Sequence, residues 1–201
     1  MNLFITGTDT NIGKTIISAW ICHHTKSKYW KPIQTGDDSD SDIISKLSPQ
    51  SKIIPNVYKL KEPLSPYDSS NLENTKIDIN RFLETTHDKT VIEGAGGILV
   101  PISKNFQMID LAKKLNSKVL IVAESKLGFL NHIFLTVNAI RQKNLEIVGI
   151  ILNGETENFL IKTIEEFSKV KILKILPRSN SIEDLIKKET EVSQEIKEIL
   201  L

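Results

Sequence analysis

The chain opens on a short apolar run, Leu3-Phe4-Ile5, and then reads Gly-Thr-Asp-Thr-Asn-Ile-Gly-Lys-Thr from Gly7 to Thr15. A strand, a glycine-bounded loop and a Lys-Thr pair opening a helix make a phosphate-binding loop. In such a loop the backbone N–H groups and the first helical turn point at an anion. Lys14 is placed to reach terminal phosphates, and the Thr15 hydroxyl to ligate Mg²⁺. A bare Gly-Lys-Thr is a weak signal, but the strand before it and the apolar helix from Ile16 to Cys22 supply the context the loop needs. The loop is also longer than the common form, which has four residues between its first glycine and the Gly-Lys pair. Here Gly7 and Gly13 enclose five, and Thr8 stands where that first glycine would be.

Beyond this loop, short apolar and β-branched runs alternate with helical patterns. Strands are predicted at Leu3–Thr6, Tyr29–Ile33, Thr90–Glu93, Val119–Ala123, Ile147–Leu152 and Val170–Ile175. Helices are predicted at Thr15–His24, Asp42–Leu47, Ile77–Thr86, Met108–Leu115, Leu130–Lys143, Asn158–Ser168 and over 182–200. Residues 48–76, with Pro49, Pro55, Pro63 and Pro66, read as a long segment without regular structure, of the kind that is usually functional or mobile. Alternating strands and helices imply βαβ crossovers. The expected fold is α/β: a P-loop NTPase-like, mostly parallel sheet with helices on both faces, in one domain spanning 1–201. Ligands in such sheets sit at the carboxyl ends of the strands. Gly7–Thr15, Lys31–Gly36, Glu93–Gly97, Glu124–Asn131, Asn153 and Pro177 all follow predicted strands, so one sheet edge should gather them.

Composition narrows the classes. A length of 201 residues, 40% hydrophobic and 25% charged, suits one globular domain with a sizeable core. A net charge of +1 gives no global field to draw nucleic acid or a membrane surface. No basic leader precedes the first strand, and no apolar run approaches the roughly 18 residues of a membrane span. A cytoplasmic protein is expected. Cys22 is the one cysteine, which excludes an intrachain disulfide or a multi-cysteine metal site; it reads as a small buried apolar residue.

Four further places could carry chemistry. Glu93 ends an apolar strand and is followed by Gly94-Ala95-Gly96-Gly97; a carboxylate there lies beside the phosphate loop and can hold Mg²⁺, while the glycines let backbone approach a ligand. Lys31, stiffened by Pro32 and followed by Thr35-Gly36, can stabilise charge on a transferring group. Asp37, Asp38, Asp40 and Asp42 form an acidic run in which at most one need be a ligand, because Mg²⁺ takes only one or two protein carboxylates beside phosphates. Asp42, at the predicted helix start, is the chosen one. Gly128, in Lys126-Leu127-Gly128-Phe129-Leu130-Asn131-His132, precedes a helix whose first amides could bind a carboxylate; His132 there reads as structural.

Taken together, Gly7-Thr8-Asp9-Thr10, Gly13-Lys14-Thr15, Lys31-Pro32 with Thr35-Gly36, Glu93-Gly94-Ala95-Gly96-Gly97, Lys126-Leu127-Gly128 with Asn131-His132, and Asn153 resemble the dethiobiotin synthetases, in order, from residue 2 to about residue 180. The resemblance implies an ATP- and Mg²⁺-dependent cyclo-ligase of biotin synthesis. It would carboxylate 7,8-diaminopelargonic acid with CO₂ and close the ureido ring, giving dethiobiotin, ADP and phosphate. It implies that Asp9, Thr10, Asn11, Ile12, Gly13, Lys14, Thr15, Glu93, Gly94, Ala95, Gly96, Asn153 and Pro177 surround ATP. Thr15, Asp42 and Glu93 would hold the metal; Lys14 and Lys31 would be catalytic. Thr10 and Thr35 would contact the amine or carbamate end of the substrate. Gly128 to Asn131 would bind its distal carboxylate from the second subunit of a homodimer.

Two other classes share the phosphate loop. Regulatory switch ATPases of partitioning and division complexes carry a signature lysine five residues before the loop lysine; that position is Asp9 here. Cobyrinate-type amidoligases need a glutaminase domain with a Cys-His site, for which a chain of this length with Cys22 alone has no room.

Overall fold

The computed structural model describes residues 1–85 and 87–201. The first element, β1 (Asn2–Gly7), is buried along its whole length and runs into the loop that opens α1 (Lys14–Thr25). The predicted strand Tyr29–Ile33 is in fact two. Pro32 has no N–H to continue a ladder. The segment therefore divides into β2 (Lys28–Trp30), which stays in the main sheet, and β3 (Ile33–Thr35), which leaves it. The helix expected to begin at Asp42 begins two residues earlier, as α2 (Asp40–Leu47), because the Ser39 side chain caps it by accepting from the Asp42 N–H.

Residues 48–76 are not structureless. They contain β4 (Ile53–Ile54), β5 (Tyr58–Leu60) and α3 (Pro66–Leu72). β4 pairs with β2 at the edge of the main sheet, and β5 pairs in parallel with β3. In α3, Pro66 stands in the first turn and Ser65 accepts from the Asp68 N–H, so one of the prolines starts an element rather than breaking one. Next come α4 (Asn80–Thr85) and β6 (Thr90–Gly97), which extends through the glycines expected to end it. Thr86, assigned to the preceding helix from sequence, lies outside the described residues.

A small antiparallel pair, β7 (Pro101–Ser103) and β8 (Phe106–Gln107), was not expected. The remaining elements fall where the periodicity puts them, within a residue or two: α5 (Met108–Lys114), β9 (Ser117–Glu124), α6 (Phe129–Gln142), β10 (Ile147–Asn153), α7 (Asn158–Ser168) and β11 (Ile172–Leu176). The helical stretch over 182–200 is broken into α8 (Ile182–Lys188) and α9 (Gln194–Leu200).

The main sheet has seven strands in the order β11-β10-β9-β1-β6-β2-β4, every pair parallel. Strand alternation sends Phe4, Ile92, Ile121 and Leu152 to one face, where α5 and α6 cover them, and Leu3, Ile5, Val91 and Leu120 to the other, under α1 and α9. The crossover topology leaves the carboxyl ends of β1, β2, β6, β9, β10 and β11 on a common edge.

Candidate active site

Along that edge an open cleft of about 910 Å³ is lined by the phosphate loop from Thr10 to Thr15, by Lys31, Thr35 and Asp40, by Glu93, Ala95 and Gly96, and by Pro63 to Pro66. The loop's last turn depends on Gly13, whose φ of 92° lies in the left-handed region. A Cβ at Gly13 would also run into the Asn153 amide. That amide donates to the Ile12 carbonyl at 3.0 Å, so Asn153, at the end of β10, braces the loop from the side away from the cleft. Asn11 is left-handed as well, with φ 57°. The Asp9 carboxylate accepts from the Thr10 N–H at 2.7 Å, which holds its carboxyl below the usual range, and it faces Lys126 at 3.4 Å.

At the floor of the cleft five side chains meet. Lys31, buried at the end of β2, places Nζ 2.7 Å from Asp40 Oδ2 and 3.1 Å from Glu93 Oε1, and donates to the Gly94 carbonyl at 3.2 Å. Thr15 Oγ1, with one proton to give, lies 2.7 Å from Asp40 Oδ1 and 3.0 Å from Glu93 Oε1. The Glu93 carboxylate is 1% exposed; its second oxygen, Oε2, accepts from Ser18 Oγ at 2.8 Å and from the Tyr29 hydroxyl at 3.0 Å. Lys14 is buried and donates to the Asp9 carbonyl at 3.3 Å.

The electrostatics follow from burial against pairing. Burial alone would depress the Lys31 ammonium, but Glu93 and Asp40 outweigh it and hold it above the usual lysine range. For Asp40, burial pushes up and Lys31 pulls down more strongly, leaving the carboxyl below its ordinary value. Lys14, desolvated and next to Lys31, is lowered. Burial and then the Glu93 charge push the Tyr29 phenol well up, so it remains a proton donor. Burial raises the Cys22 thiol, which keeps it out of thiolate chemistry.

Most residues anticipated from sequence converge here: Thr10, Asn11, Ile12, Gly13, Lys14, Thr15, Lys31, Thr35, Glu93, Ala95 and Gly96 line the cleft, with Gly94 beneath Lys31. Asp42 does not. It is exposed on α2, and the carboxylate that reaches Thr15 and Lys31 belongs to Asp40. Asp40 is the first helical residue and Asp42 the third; two residues turn a helix by about 200°, so only one can face α1 and β6. Asn153, against the phosphate loop, and Pro177, after β11, are not among the residues that line the cleft. Gly128, with φ 90° and open space around it, and Asn131 are exposed at the start of α6 and do not reach the cleft within one chain. Tyr29, Ser18 and Gln34 went unnoticed in the sequence. The Gln34 side chain accepts from the Asp40 N–H at 3.3 Å and so sets the start of α2. Tyr29 reads as an aromatic core residue and Ser18 as a helix-interior polar residue; neither spacing betrays a shared partner 64 to 75 residues away.

Known proteins divide into two groups. Solved structures share the fold at low identity: a ParA family ATPase from Chlorobium tepidum (TM-score 0.58, 14% identity, 98% of this chain and 96% of that one) and the cell division ATPase MinD from Pyrococcus furiosus (TM-score 0.59, 13% identity, 99% and 94%). They speak to the P-loop fold alone. A family model described as an AAA domain matches residues 1–185. Sequence relatives are much nearer. The ATP-dependent dethiobiotin synthetase BioD of Lawsonia intracellularis is 41% identical over the whole of both chains, and that of Paramagnetospirillum magneticum 39% identical over 85% of each. The bifunctional biotin biosynthesis protein BioCD of Bordetella avium is 36% identical over 90% of this chain and 40% of its own length. Matched over its whole length at 41% identity by one dethiobiotin synthetase and over 85% of its length at 39% by another, the chain belongs to the ATP-dependent dethiobiotin synthetase family.

Proposed function

We propose that this protein is an ATP- and Mg²⁺-dependent dethiobiotin synthetase acting on 7,8-diaminopelargonic acid and CO₂, as a cytoplasmic homodimer. The observation that carries the reading is the cluster at the cleft floor, where Lys14, Thr15, Lys31, Asp40 and Glu93 surround the place a terminal phosphate would enter. Among the described residues no group of three or more His, Cys, Asp or Glu side chains could cage a metal. Two carboxylates and one hydroxyl do suit a hard cation that takes its other ligands from phosphate and water. Thr15, Asp40 and Glu93 would hold Mg²⁺, which when bound neutralises charge on the β- and γ-phosphates.

The substrate supplies its own nucleophiles. One amine adds to CO₂ and loses a proton, giving a carbamate. A carbamate oxygen attacks the γ-phosphorus as ADP leaves, forming a carbamic–phosphoric anhydride. The second amine attacks the carbonyl carbon; the ring closes and phosphate departs with the bridging oxygen. The chain's residues position and neutralise. Loop amides and Lys14 hold the β- and γ-phosphates. Lys31, kept cationic by its two carboxylates, stabilises the carbamate and the transferring phosphoryl group. Thr10 and Thr35 orient the nitrogen end of the substrate. Asn153 and Pro177 flank the adenine. The Gly128–Asn131 segment, exposed at Gly128 and Asn131 and bordered by the fully exposed Leu127, would hold the distal carboxylate of a substrate bound in the partner's cleft.

Phosphate release from MgATP and bicarbonate, followed with and without 7,8-diaminopelargonic acid, tests the reading. Release that depends on the diamine is expected; equal release without it would point to a switch ATPase on the same fold.

A further inference from the structure

We infer that Tyr29 and Ser18 are positioning residues that lock the Glu93 carboxylate and present one of its oxygens, Oε1, to the cation. The inference rests on the proposed role of Glu93 as a cation ligand.

Glu93 stands opposite Ile5 on the ladder between β1 and β6, just before the register shift that leads to the Gly7–Gly97 pair. Its two oxygens have different company. Oε1 faces the cleft, with Thr15 Oγ1 at 3.0 Å and Lys31 Nζ at 3.1 Å. Oε2 faces the interior and takes the hydroxyl protons of Ser18 and Tyr29, at 2.8 and 3.0 Å. A carboxylate oxygen has two lone-pair directions, so these two donors fill Oε2, whereas the one Thr15 proton can go to Asp40 Oδ1 and leave a direction of Oε1 open to a cation. Turning the carboxylate would strand both hydroxyls, since Ser18 and Tyr29 are fully buried.

The donors come from separate elements. Ser18 lies three residues beyond Thr15 on α1, so adjacent turns of one helix face address the two oxygens of one carboxylate: Thr15 toward Oε1, Ser18 toward Oε2. Tyr29 comes from β2, two residues before Lys31; its neighbour on the ladder is Val91, two residues before Glu93. The ring packs in the core against α1 and β6, a task phenylalanine would do equally well; the hydroxyl is what the packing leaves unexplained. Both donors are neutral, so they orient the carboxylate without cancelling the charge a cation needs. Outer partners that orient a ligand typically govern its affinity for metal.

The test uses Mn²⁺ as the probe, its binding followed by spin resonance on the full-length protein saturated with a non-hydrolysable ATP analogue. Tyr29→Phe and Ser18→Ala should each weaken Mn²⁺ by about 10-fold, and the double variant more. Affinity for the same analogue in EDTA should stay at the parent value, since neither hydroxyl touches the phosphate loop. Parental Mn²⁺ affinity in both single variants, while Glu93→Gln loses it, would overturn this inference and leave the ligand role of Glu93 standing. Parental affinity in Glu93→Gln as well would overturn both. Matched losses of analogue affinity in EDTA would mean general damage to the loop and would also overturn it. Should Tyr29→Phe fail to fold, Ser18→Ala decides alone.

Discussion

Lys31 stands between two carboxylates, and its removal should separate binding from chemistry. Lys31→Ala is expected to lower kcat by about 10²–10³-fold, the loss typical of one donor aimed at developing charge, while the Kd for ATP measured by calorimetry changes little. A weakened Kd with kcat unchanged would mean that Lys31 serves binding alone. Asp40 and Asp42 give a sharper pair. Asp40→Asn should cut Mg²⁺-dependent turnover by well over about 10-fold, and Asp42→Asn should leave it near the parent value, because Asp42 points to solvent. Asp40 also ties stability to pH. Its carboxyl is lowered in the folded chain. Its contribution is therefore complete above the unfolded aspartate value of about 3.9 and vanishes as pH falls through the lower folded value. Thermal melts of Asp40→Asn should fall less steeply across that acid window than those of the parent. The sequence offered four aspartates in six residues, and a helix start placed two residues late pointed to Asp42. The choice is made by the angular position of Asp40 on α2, and so by the Ser39 cap that starts the helix there.

The elements that place these side chains are short, and their ends matter more than their lengths. Gly13 ends the phosphate loop in the left-handed region, and a methyl group would strain the backbone and press on Asn153. Gly13→Ala should weaken ATP binding by about 10-fold or more, the equivalent of the roughly 1–2 kcal/mol that the left-handed conformation costs an L-residue. Retained affinity in a fluorescent-nucleotide titration would show that the loop can rebuild without its left-handed glycine. Long elements with a clear period, such as β9, α6 and α7, are legible in the sequence almost to the residue. The segment 48–76 is not. Strands of two and three residues are too short to display an alternation, and β4 and β5 exist because β2 and β3 offer them edges far away in sequence. Pro32 similarly breaks one apolar run into strands of two different sheets, a division that pairing partners reveal and composition does not.

For the whole molecule, the parallel sheet gathers loops from six strands on one edge, and that much follows from the alternation of strands and helices in the sequence. What one chain does not gather is the start of α6: Gly128 and Asn131 are exposed and outside the cleft. If each active site of a homodimer borrows Asn131 from its partner, two inactive variants should complement. Mixing Lys31→Ala and Asn131→Ala chains by unfolding and refolding should restore about a quarter of parental activity, because half the dimers are mixed and each of those has one intact site. No restoration would place Asn131 in its own chain's site, and an active Asn131→Ala chain would place it outside catalysis. Phosphoryl transfer to a carbamate leaves its mark in the oxygen of the released phosphate. With oxygen-18-labelled CO₂ supplied in a rapid single turnover with MgATP and 7,8-diaminopelargonic acid, the phosphate released should carry an oxygen-18 atom from the carbamate. Phosphate bearing oxygen from unlabelled water alone would rule out transfer to a carbamate and reduce the protein to an ATP hydrolase.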